Sequence, residues 1–508
     1  MNAVEHLLGD AALACHGGRV ALVCGEDAVT YAQLAHSVQR AAGAYGARGV
    51  ASGERVLIVL RDTPEFVAAW LGALWRGAVA IAVNTTLSED EYRYLIQDSG
   101  AKLLVIEDRF VPGAAELVAE LGAKGRVVVV GSAPGGMPAW HGLTESSVSQ
   151  TEPRSLRPDD PAFWLYSSGT TDQPKGIIHA HKDLRSTGKI QREALKLVVD
   201  DKVFVTSKLF FAYALENGVL GPLALCATIV LHADWCDPEL VCMIVSRERP
   251  AAFFSVPSFY RRPLTLPADM LDQFRAVWHF VSAGERLPDS VVGQWRQAVG
   301  NWILSAYGTS ETFCVCMITA QAGGTSSRPL ADVDIRLRTS EGAEALVGEP
   351  GVLWIRHSSL SSGNANRQEV THKQFVDGWF CSNDVFVRDA TGHFLHQGRS
   401  DEFIKVAGQW VQPADVEGIV TGLSSVADAA CVPVKDADGF ERLALFIAAH
   451  GDELEAVRAA QTAYAERLPR HKRPKWVRAL AELPRTATGK IRRFKLRDLI
   501  EREFVDQN

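Results

Sequence analysis

A hydroxyl-rich loop that carries one lysine follows an apolar run in the first half of the chain. The run Ala162–Tyr166 leads into Ser167-Ser-Gly-Thr-Thr171, and Lys175 and Gly176 follow shortly after. Hydroxyl groups donate hydrogen bonds to anions, glycine lets the backbone approach closely, and a lysine ammonium places a compact positive charge beside phosphate. The loop lacks the Gly-Lys-Ser/Thr ending of a Walker A motif, which argues against a kinase or GTPase. The segment therefore predicts a phosphate-binding loop at the end of a strand.

Five further segments combine glycine or proline with charged and hydroxyl side chains. They are Ser282-Ala-Gly-Glu-Arg-Leu-Pro288, Tyr307-Gly-Thr-Ser-Glu-Thr312, Gly378-Trp-Phe-Cys-Ser-Asn-Asp384, Gly398-Arg-Ser-Asp-Glu-Phe-Ile-Lys-Val-Ala-Gly408 and Pro484-Arg-Thr-Ala-Thr-Gly-Lys-Ile491. Taken alone, a residue such as Glu311 is more often a surface carboxylate than a metal ligand. Downstream of a phosphate loop it gains a second interpretation, because Mg²⁺ prefers carboxylate and phosphate oxygens.

In this order, the six segments closely resemble the signature motifs of the adenylate-forming superfamily. That superfamily includes acyl-CoA synthetases, luciferases and the adenylation domains of peptide synthetases, and the likeness spans nearly the whole chain. The chain departs from the family pattern at Asp172 and Asn383, where the family normally has glycine. Asparagine tolerates a left-handed backbone, so Asn383 can stand in for glycine.

The resemblance implies a two-step reaction on ATP. A substrate carboxylate attacks the α-phosphate to form an acyl-adenylate and pyrophosphate, and the thiol of coenzyme A then displaces AMP. Two anions meet in the first step, so positive charge near the phosphates should lower the barrier. The implied catalytic residues are Lys175, Thr309, Glu311 and Lys490, with Glu311 as the ligand of Mg²⁺.

The resemblance also assigns the nucleotide site. Tyr307 would lie against adenine, Asp384 would accept hydrogen bonds from both ribose hydroxyls, and Arg399 would contact ribose or phosphate. The full implied ATP/AMP-binding set is Ser167, Ser168, Gly169, Thr170, Thr171, Lys175, Ala283, Gly284, Glu285, Tyr307, Gly308, Thr309, Asp384 and Arg399.

The hinge motif implies a rotating C-terminal domain. Asp401 would be the pivot, and Gly408 would lie on the face that approaches coenzyme A, with Lys405 in the same motif. Lys490 would reach the acid carboxylate and the α-phosphate in one orientation and be withdrawn in the other. Such a rotation would be a conformational gate between the two half-reactions.

The segment Lys208–Gly218 resembles the benzoate-CoA ligase branch, in which an alanine and a tyrosine border the aryl ring. The implied acid pocket consists of Phe211, Ala212, Tyr213, Gly308, Cys314 and Val315. Cys314 stands where the branch usually has histidine, and Glu216 replaces a branch glycine. These departures favour a ring that bears a hydroxyl or amino group over unsubstituted benzoate. Without the resemblance, core packing would explain the aromatic side chains equally well.

Several functions remain open for these motifs. The first is an ATP-dependent aryl acid:CoA ligase that acts on a benzoate, hydroxybenzoate or aminobenzoate. The second is a stand-alone adenylation enzyme that loads a carrier-protein phosphopantetheine or another acceptor. A binding protein with a degraded nucleotide site is disfavoured, because the charged motif residues Lys175, Glu311, Asp384, Arg399 and Lys490 are all present.

The elements that must position these residues alternate along the chain. Arg55–Leu60, Val79–Val83, Leu103–Glu107 and Val127–Val130 predict strands, and Pro64–Arg76 predicts a helix. The alternation predicts an α/β fold with a large N-terminal domain of layered β-sheets flanked by helices, at residues 1–399. A small mobile α+β domain is expected at residues 400–508.

Composition excludes some classes of partner and site. The chain has 508 residues, 47% hydrophobic and 22% charged, with a net charge of -7, so nucleic acid binding is not expected. Met1–His6 lacks a signal-peptide pattern, and Phe66–Val83 is interrupted by Arg76, so we expect a cytoplasmic protein without membrane insertion. The nine cysteines include no CxxC pair, which disfavours structural zinc. The oligomeric state stays open, with a homodimer as one alternative.

Overall fold

A computed structural model of the protein describes residues 1–167, 173–319, 323–324, 326–400, 404–406, 409–436, 439–485 and 491–506. Side chains are described for the same residues except 404–406, 409–410, 414 and 502–506. The chain folds into two compact units. The first comprises Met1–Ile335 and Ile355–Phe380, and the second comprises Arg336–Trp354 and Cys381–Asn508.

The strands of the described residues are numbered in chain order. They are β1 (Val20–Cys24), β2 (Asp27–Thr30), β3 (Arg55–Val59), β4 (Val79–Ala82), β5 (Leu103–Glu107), β6 (Val127–Val130), β7 (Pro161–Ser167), β8 (Lys175–Ala180), β9 (Lys202–Val205), β10 (Thr228–Leu231), β11 (Ala252–Ser255), β12 (His279–Ser282), β13 (Ile303–Tyr307), β14 (Met317–Thr319), β15 (Ser327–Pro329), β16 (Asp334–Arg338), β17 (Pro350–Arg356), β18 (Phe375–Val376), β19 (Trp379–Arg388), β20 (Phe394–Arg399), β21 (Ile404–Val406), β22 (Gln409–Val411), β23 (Val426–Lys435), β24 (Glu441–Ala449) and β25 (Trp476–Leu480).

The helices are numbered in the same way. The α-helices are α1 (Ala3–Leu8), α2 (Asp10–His16), α3 (Tyr31–Ala47), α4 (Pro64–Arg76), α5 (Glu89–Ser99), α6 (Ala115–Ala123), α7 (Trp140–Ser146), α8 (Ala212–Leu215), α9 (Gly221–Leu225), α10 (Pro238–Glu248), α11 (Pro257–Arg261), α12 (Ala268–Leu271), α13 (Asp289–Val299), α14 (Gln368–Gln374), α15 (Pro413–Val420), α16 (Glu453–Arg467) and α17 (Arg493–Asp506). Short 3₁₀ segments lie at Asp108–Ala114, Pro134–Gly136, His181–Ser186, Pro263–Thr265, Asp272–Ala276 and Arg470–Lys472, and π-helical turns at Ile190–Ala194 and Glu216–Leu220.

Two sheets form the first unit. One has the order β6-β5-β3-β4-β7-β8, parallel except for the last strand, which is antiparallel to β7. In the other, β1, β10, β9, β11, β12 and β13 run parallel in that order. Strand β2 extends this sheet beyond β1, and β14 and β15 extend it beyond β13, all antiparallel to their neighbours.

Helix α4 shows how local sequence sets the elements of this unit. Pro64 occupies the first turn, where its missing N–H costs nothing, and Gly77 ends the helix in the left-handed region at φ 81°. Every residue from Phe66 to Trp75 is buried. The helix therefore fills the core rather than a bilayer, and no helix of the described residues is long and apolar enough to cross a membrane.

The second unit is smaller and contains its own core. Its strands β16, β17, β19 and β20 are neighbours in that order, β21 pairs with β22, and β23, β24 and β25 form a separate sheet. Buried apolar residues of this last sheet, such as Cys431, Leu445 and Ile447, pack against Val416 and Tyr464 of the helices. The predicted α/β class, with a large sheet-rich unit and a small C-terminal one, is confirmed. The division at residues 399 and 400, and the mobility of the smaller part, remain predictions.

Candidate active site

The carboxyl ends of four parallel strands bring together three of the predicted segments. Strands β9, β11, β12 and β13 are successive parallel neighbours, so their carboxyl ends lie along one edge of the sheet. Residues 283–285 follow β12, residues 308–309 follow β13, and residues 211–213 lie a short loop after β9. This edge is where open α/β sheets bind their ligands. The fold therefore gathers the predicted adenine loop and both sides of the predicted acid pocket at one place.

The phosphate-loop lysine meets the predicted metal ligand. Strands β7 and β8 form a hairpin in which Ser167 is opposite Lys175, and residues 168–174 connect them. The Lys175 Nζ lies 2.8 Å from Glu311 Oε1, with side-chain exposures of 16% and 12%. The two residues are 136 positions apart in sequence. The structure thus brings together the two charged groups that the motifs implied for phosphate and magnesium.

The loop that carries Glu311 is held by hydrogen bonds to its backbone carbonyls. His179 Nε2 lies 2.8 Å from the carbonyl oxygen of Ser310, and the Ser361 N–H donates to the carbonyl of Glu311 at 2.8 Å. Within the loop, Thr309 Oγ1 accepts from the Thr312 N–H at 3.2 Å. These bonds fix the backbone on both sides of Glu311, so its carboxylate is presented in a set position.

His179 and Asp183 are positioning residues that the sequence reasoning missed. The ring of His179 stacks on Phe163, and its Nδ1 lies 3.1 Å from an Asp183 carboxylate oxygen. Both residues are fully buried. The sequence signal for these residues was a histidine and an aspartate four positions apart, shortly after the phosphate-loop lysine. Nothing in that spacing indicates that the ring reaches a loop 131 residues away.

The predicted acid pocket has two sides. Phe211, Ala212 and Tyr213 are half-buried at the start of α8, while Cys314 and Val315 are buried. Tyr213 donates through its hydroxyl to the carbonyl of Val281 at 3.0 Å. Phe210, by contrast, belongs to the core cluster of the first unit and packs against Phe211 at 4.2 Å between ring centroids.

Gly308 lies where the strand β13 meets the second side of this pocket. A Cβ atom at this position would come within 3.0 Å of the Cys314 carbonyl oxygen and 3.3 Å of the Val315 Cα. Any larger residue would therefore push the 314–315 segment away. The glycine is required by this close approach of two backbone segments.

Glu216 is buried between the two sides. It is 1% exposed, and its Oε2 accepts hydrogen bonds from the Val315 N–H at 3.2 Å and the Asn217 amide at 2.8 Å. No cationic side chain pairs with Glu216 within the described part of the chain. Burial raises the pKa of this carboxyl to about 8. The sequence identified Glu216 as a departure from the branch that favours a substituted ring, but Glu216 was not among the predicted pocket residues.

The predicted ribose ligands lie in the second unit. Asp384 of β19 is opposite Arg399 of β20, and Arg399 Nη1 is 3.9 Å from Asp384 Oδ1. His396 Nε2 approaches the same oxygen at 3.6 Å. Asn383 has φ 60°, so the expected left-handed backbone at this position is confirmed. The structure therefore groups a carboxylate with two basic side chains on adjacent strands.

Several predicted site residues lie outside the part of the chain that the structure describes. They are Ser168, Gly169, Thr170, Thr171, Asp172, Asp401, Gly408 and Lys490. The backbone of Lys405 lies in β21, opposite Trp410 of β22, and its side chain is outside the described atoms. The roles of all these residues stay predictions.

The two-sheet fold, with its lysine–carboxylate pair, is that of adenylate-forming enzymes. The sequence matches the AMP-binding enzyme family over residues 10–363 and the AMP-binding enzyme C-terminal domain over residues 415–490. The chain belongs to the AMP-binding enzyme family.

Similar proteins act on aromatic acids. A 3-hydroxybenzoate–CoA ligase of Aromatoleum sp. (strain CIB) is 36% identical, over 99% of this chain and 97% of the relative. The structure of the anthranilate CoA ligase AuaEII in complex with anthranoyl-AMP superimposes with a TM-score of 0.92, at 28% identity, over 99% of this chain and 98% of that one. A benzoate CoA ligase from Burkholderia xenovorans LB400 gives a TM-score of 0.88, at 30% identity, over 98% and 100% of the two chains.

Proposed function

We propose that this protein is an ATP-dependent aryl acid:CoA ligase, which forms an aroyl-adenylate and then an aroyl-CoA thioester. The observation that carries the proposal is the Lys175–Glu311 pair, at 2.8 Å, in a unit that also holds the aromatic segment at residues 211–213. The similarity to aromatic acid CoA ligases along the whole chain supports the class of acid.

In the first half-reaction, the carboxylate of the acid attacks the α-phosphate and pyrophosphate leaves with the electrons of the broken P–O bond. Charge develops on the phosphate oxygens as the two anions approach. The Lys175 ammonium and the Thr309 hydroxyl would stabilise that charge, and preorganised groups of this kind cost no reorganisation during the reaction. The anchored backbone around Glu311 supports such preorganisation. Tyr307 would hold the adenine, and Asp384 and Arg399 would hold the ribose.

Glu311 is the residue that would hold Mg²⁺. A carboxylate oxygen is one of the hard donors that Mg²⁺ takes together with phosphate oxygens and water, so the donor chemistry at this position fits the ion. When bound, Mg²⁺ would offset negative charge on the phosphates of ATP. In the described structure the Glu311 carboxylate pairs with Lys175. Binding of the nucleotide would therefore exchange this ion pair for contacts of each group with phosphate.

In the second half-reaction, the thiol of coenzyme A attacks the acyl carbon and AMP leaves. We propose that residues 400–508 rotate about Asp401 between the two steps, so that Lys490 is withdrawn and the Gly408 face approaches the adenylate. Lys405 would belong to the same face. This division of roles rests on the hinge and final motifs of the sequence.

We also propose that the enzyme works in the cytoplasm. Its state as a monomer or homodimer can be measured by light scattering after gel filtration.

A panel of acids tests the proposal. Purified enzyme with ATP, Mg²⁺ and coenzyme A is supplied with benzoate, hydroxybenzoates, aminobenzoates, acetate or octanoate, and pyrophosphate, AMP and CoA thioester are each measured. We expect the aryl acids to give the highest kcat/KM, since a pocket built for a ring loses apolar contact with acetate and has no room for a long tail. Each unfilled methylene-sized volume costs about 1 kcal/mol or more.

Three outcomes separate the alternatives. Stoichiometric aroyl-CoA together with AMP supports the ligase. Pyrophosphate release without thioester, followed by acyl transfer to a phosphopantetheinylated carrier protein, would point to the carrier-loading enzyme. A kcat/KM for octanoate above that of every aryl acid would overturn the assignment of the acid.

A further inference from the structure

We propose that Glu216 recognises a phenolic hydroxyl on the aryl ring, at a position away from the carboxylate that is activated. The inference rests on the proposed function, because it places the ring between residues 212–213 and 314–315. It assigns this chain to hydroxybenzoates among the aryl acids and attributes that preference to a single side chain.

The first observation is the position of Glu216 on its helix. Its N–H donates to the carbonyl of Ala212, so it lies one helical turn beyond Ala212 and Tyr213 and on the same side of the helix. Helix α8 changes at Glu216 into the π-helical turn Glu216–Leu220. Single π-helical turns inside α-helices are rare and are frequently found at functional sites.

The second observation is that the carboxyl also reaches the opposite side of the pocket. Its Oε2 accepts a hydrogen bond from the Val315 N–H at 3.2 Å. The same carboxyl group therefore touches the segment across from Ala212 and Tyr213. A ring held between these two segments has the carboxyl at its edge.

The third observation concerns the charge of the group. No cationic side chain among the described residues pairs with Glu216, and burial raises the pKa of this carboxyl to about 8, which disfavours the anion. Below that pH it is a neutral acid, with an O–H that donates and a carbonyl oxygen that accepts. A phenolic hydroxyl also donates and accepts, so the two groups can satisfy one another.

The fourth observation is that Glu216 is held in place. The Asn217 amide donates to Glu216 Oε2 and to the Tyr213 carbonyl, and the Asn217 oxygen accepts from Gln191 at 2.9 Å. Gln191 lies in the other π-helical turn, Ile190–Ala194. A recognition group discriminates between ligands only when its own position is fixed, and this network fixes it.

The test compares hydroxy acids with methyl analogues of the same size. Acid-dependent pyrophosphate release measures kcat/KM for 3- and 4-hydroxybenzoate and for 3- and 4-methylbenzoate, with wild type, Glu216→Gln and Glu216→Met. The two replacements have similar length, and only glutamine keeps a donor and an acceptor. Glu248→Gln is the matched control, because Glu248 is also buried but pairs with Lys202 of β9.

We expect wild type to favour one hydroxy acid over its methyl analogue by about tenfold or more. That ratio should fall by about ten- to a hundredfold in Glu216→Met, fall less in Glu216→Gln, and stay unchanged in Glu248→Gln. An effect through the fold alone would lower the rates for both acids together and leave the ratio unchanged. If Glu216→Met does not fold, Glu216→Gly carries the same expectation, since it also removes the hydrogen-bonding group.

Two results would overturn the inference while leaving the proposed function intact. One is an unchanged hydroxy/methyl ratio in every folded Glu216 variant that still activates aryl acids. The other is a wild-type enzyme that prefers the methyl acids, or that prefers 3- or 4-aminobenzoate over both hydroxybenzoates. By contrast, a wild-type enzyme that activates no aryl acid would refute the proposed function itself.

Discussion

Replacing Glu216 by glutamine should stabilise the folded protein, and the gain should grow with pH. The carboxyl has a pKa of about 8 in the folded state against an ordinary value of 4.5, because burial disfavours its charged form. Below pH 4.5 both states hold the proton, and the wild type has its full stability. As pH rises from 4.5 to 8, the unfolded state loses the proton and the folded state keeps it. Wild-type stability therefore falls over this range, whereas a glutamine does not titrate.

The size of the effect follows from the same window. Each pH unit in which only the unfolded state is ionised costs the wild type about 1.4 kcal/mol, so the interval from pH 5.5 to 7.5 costs about 2.7 kcal/mol. Neighbouring titratable groups should not compensate. Burial raises the pKa of Tyr213 and that of Cys314 well above their ordinary values, so both groups stay neutral throughout the interval.

Urea unfolding followed by tryptophan fluorescence at pH 5.5, 6.5 and 7.5 measures the effect. The quantity of interest is the difference in the free energy of unfolding between Glu216→Gln and wild type, since titration of all other groups cancels in it. Glu248→Gln is the control. Its hydrogen bonds to Lys202 and Arg247 help to lower the pKa of Glu248, so this carboxyl is ionised in both states and the difference should be flat. A flat difference for Glu216→Gln as well would show that the buried carboxyl is not neutral in this pH range.

Two further predictions concern the acid pocket and the C-terminal domain. Cys314→His should shift the kcat/KM values of substituted benzoates relative to one another by roughly 1–3 kcal/mol, because the larger side chain would overpack the pocket. An unchanged rank order across the acid panel would show that Cys314 does not border the substrate. Lys490→Ala should lower acid-dependent pyrophosphate release by ~10²–10³-fold and leave thioester formation from supplied aroyl-AMP and coenzyme A within several-fold of wild type. Gly408→Leu should slow thioester formation and leave pyrophosphate release largely intact. Equal slowing of both half-reactions by Lys490→Ala, with circular dichroism unchanged, would contradict the two-conformation scheme.

Local elements of the fold were readable from the sequence. The predicted helix Pro64–Arg76 and the predicted strands Leu103–Glu107 and Val127–Val130 have the observed bounds. Each is bounded by turn-forming residues or has an uninterrupted apolar pattern, so short-range interactions suffice to define it. The same holds for the left-handed backbone at Asn383, because asparagine tolerates that conformation better than most residues.

The sequence predicted only those site residues that belong to recognisable motifs. The resemblance placed Lys175 and Glu311 in the same nucleotide site, but the ion pair between them is a finding of the structure. The anchoring of the Glu311 loop by His179 was not predicted, because a buried histidine has no sequence pattern that identifies its partner. The sequence also did not reveal that Phe210, next to the predicted pocket residue Phe211, belongs to the hydrophobic core.

The family, the order of the chemical groups and several of the helices and strands that carry them could therefore be predicted from the sequence. The environment of Glu216 could not, because it depends on the packing of the folded chain. The contact of Glu216 with Val315 spans 99 residues, and the elevated pKa of its carboxyl comes from the loss of water on burial. Hydrogen bonding between distant segments and desolvation depend on how those segments pack, and no local pattern of residues encodes either one.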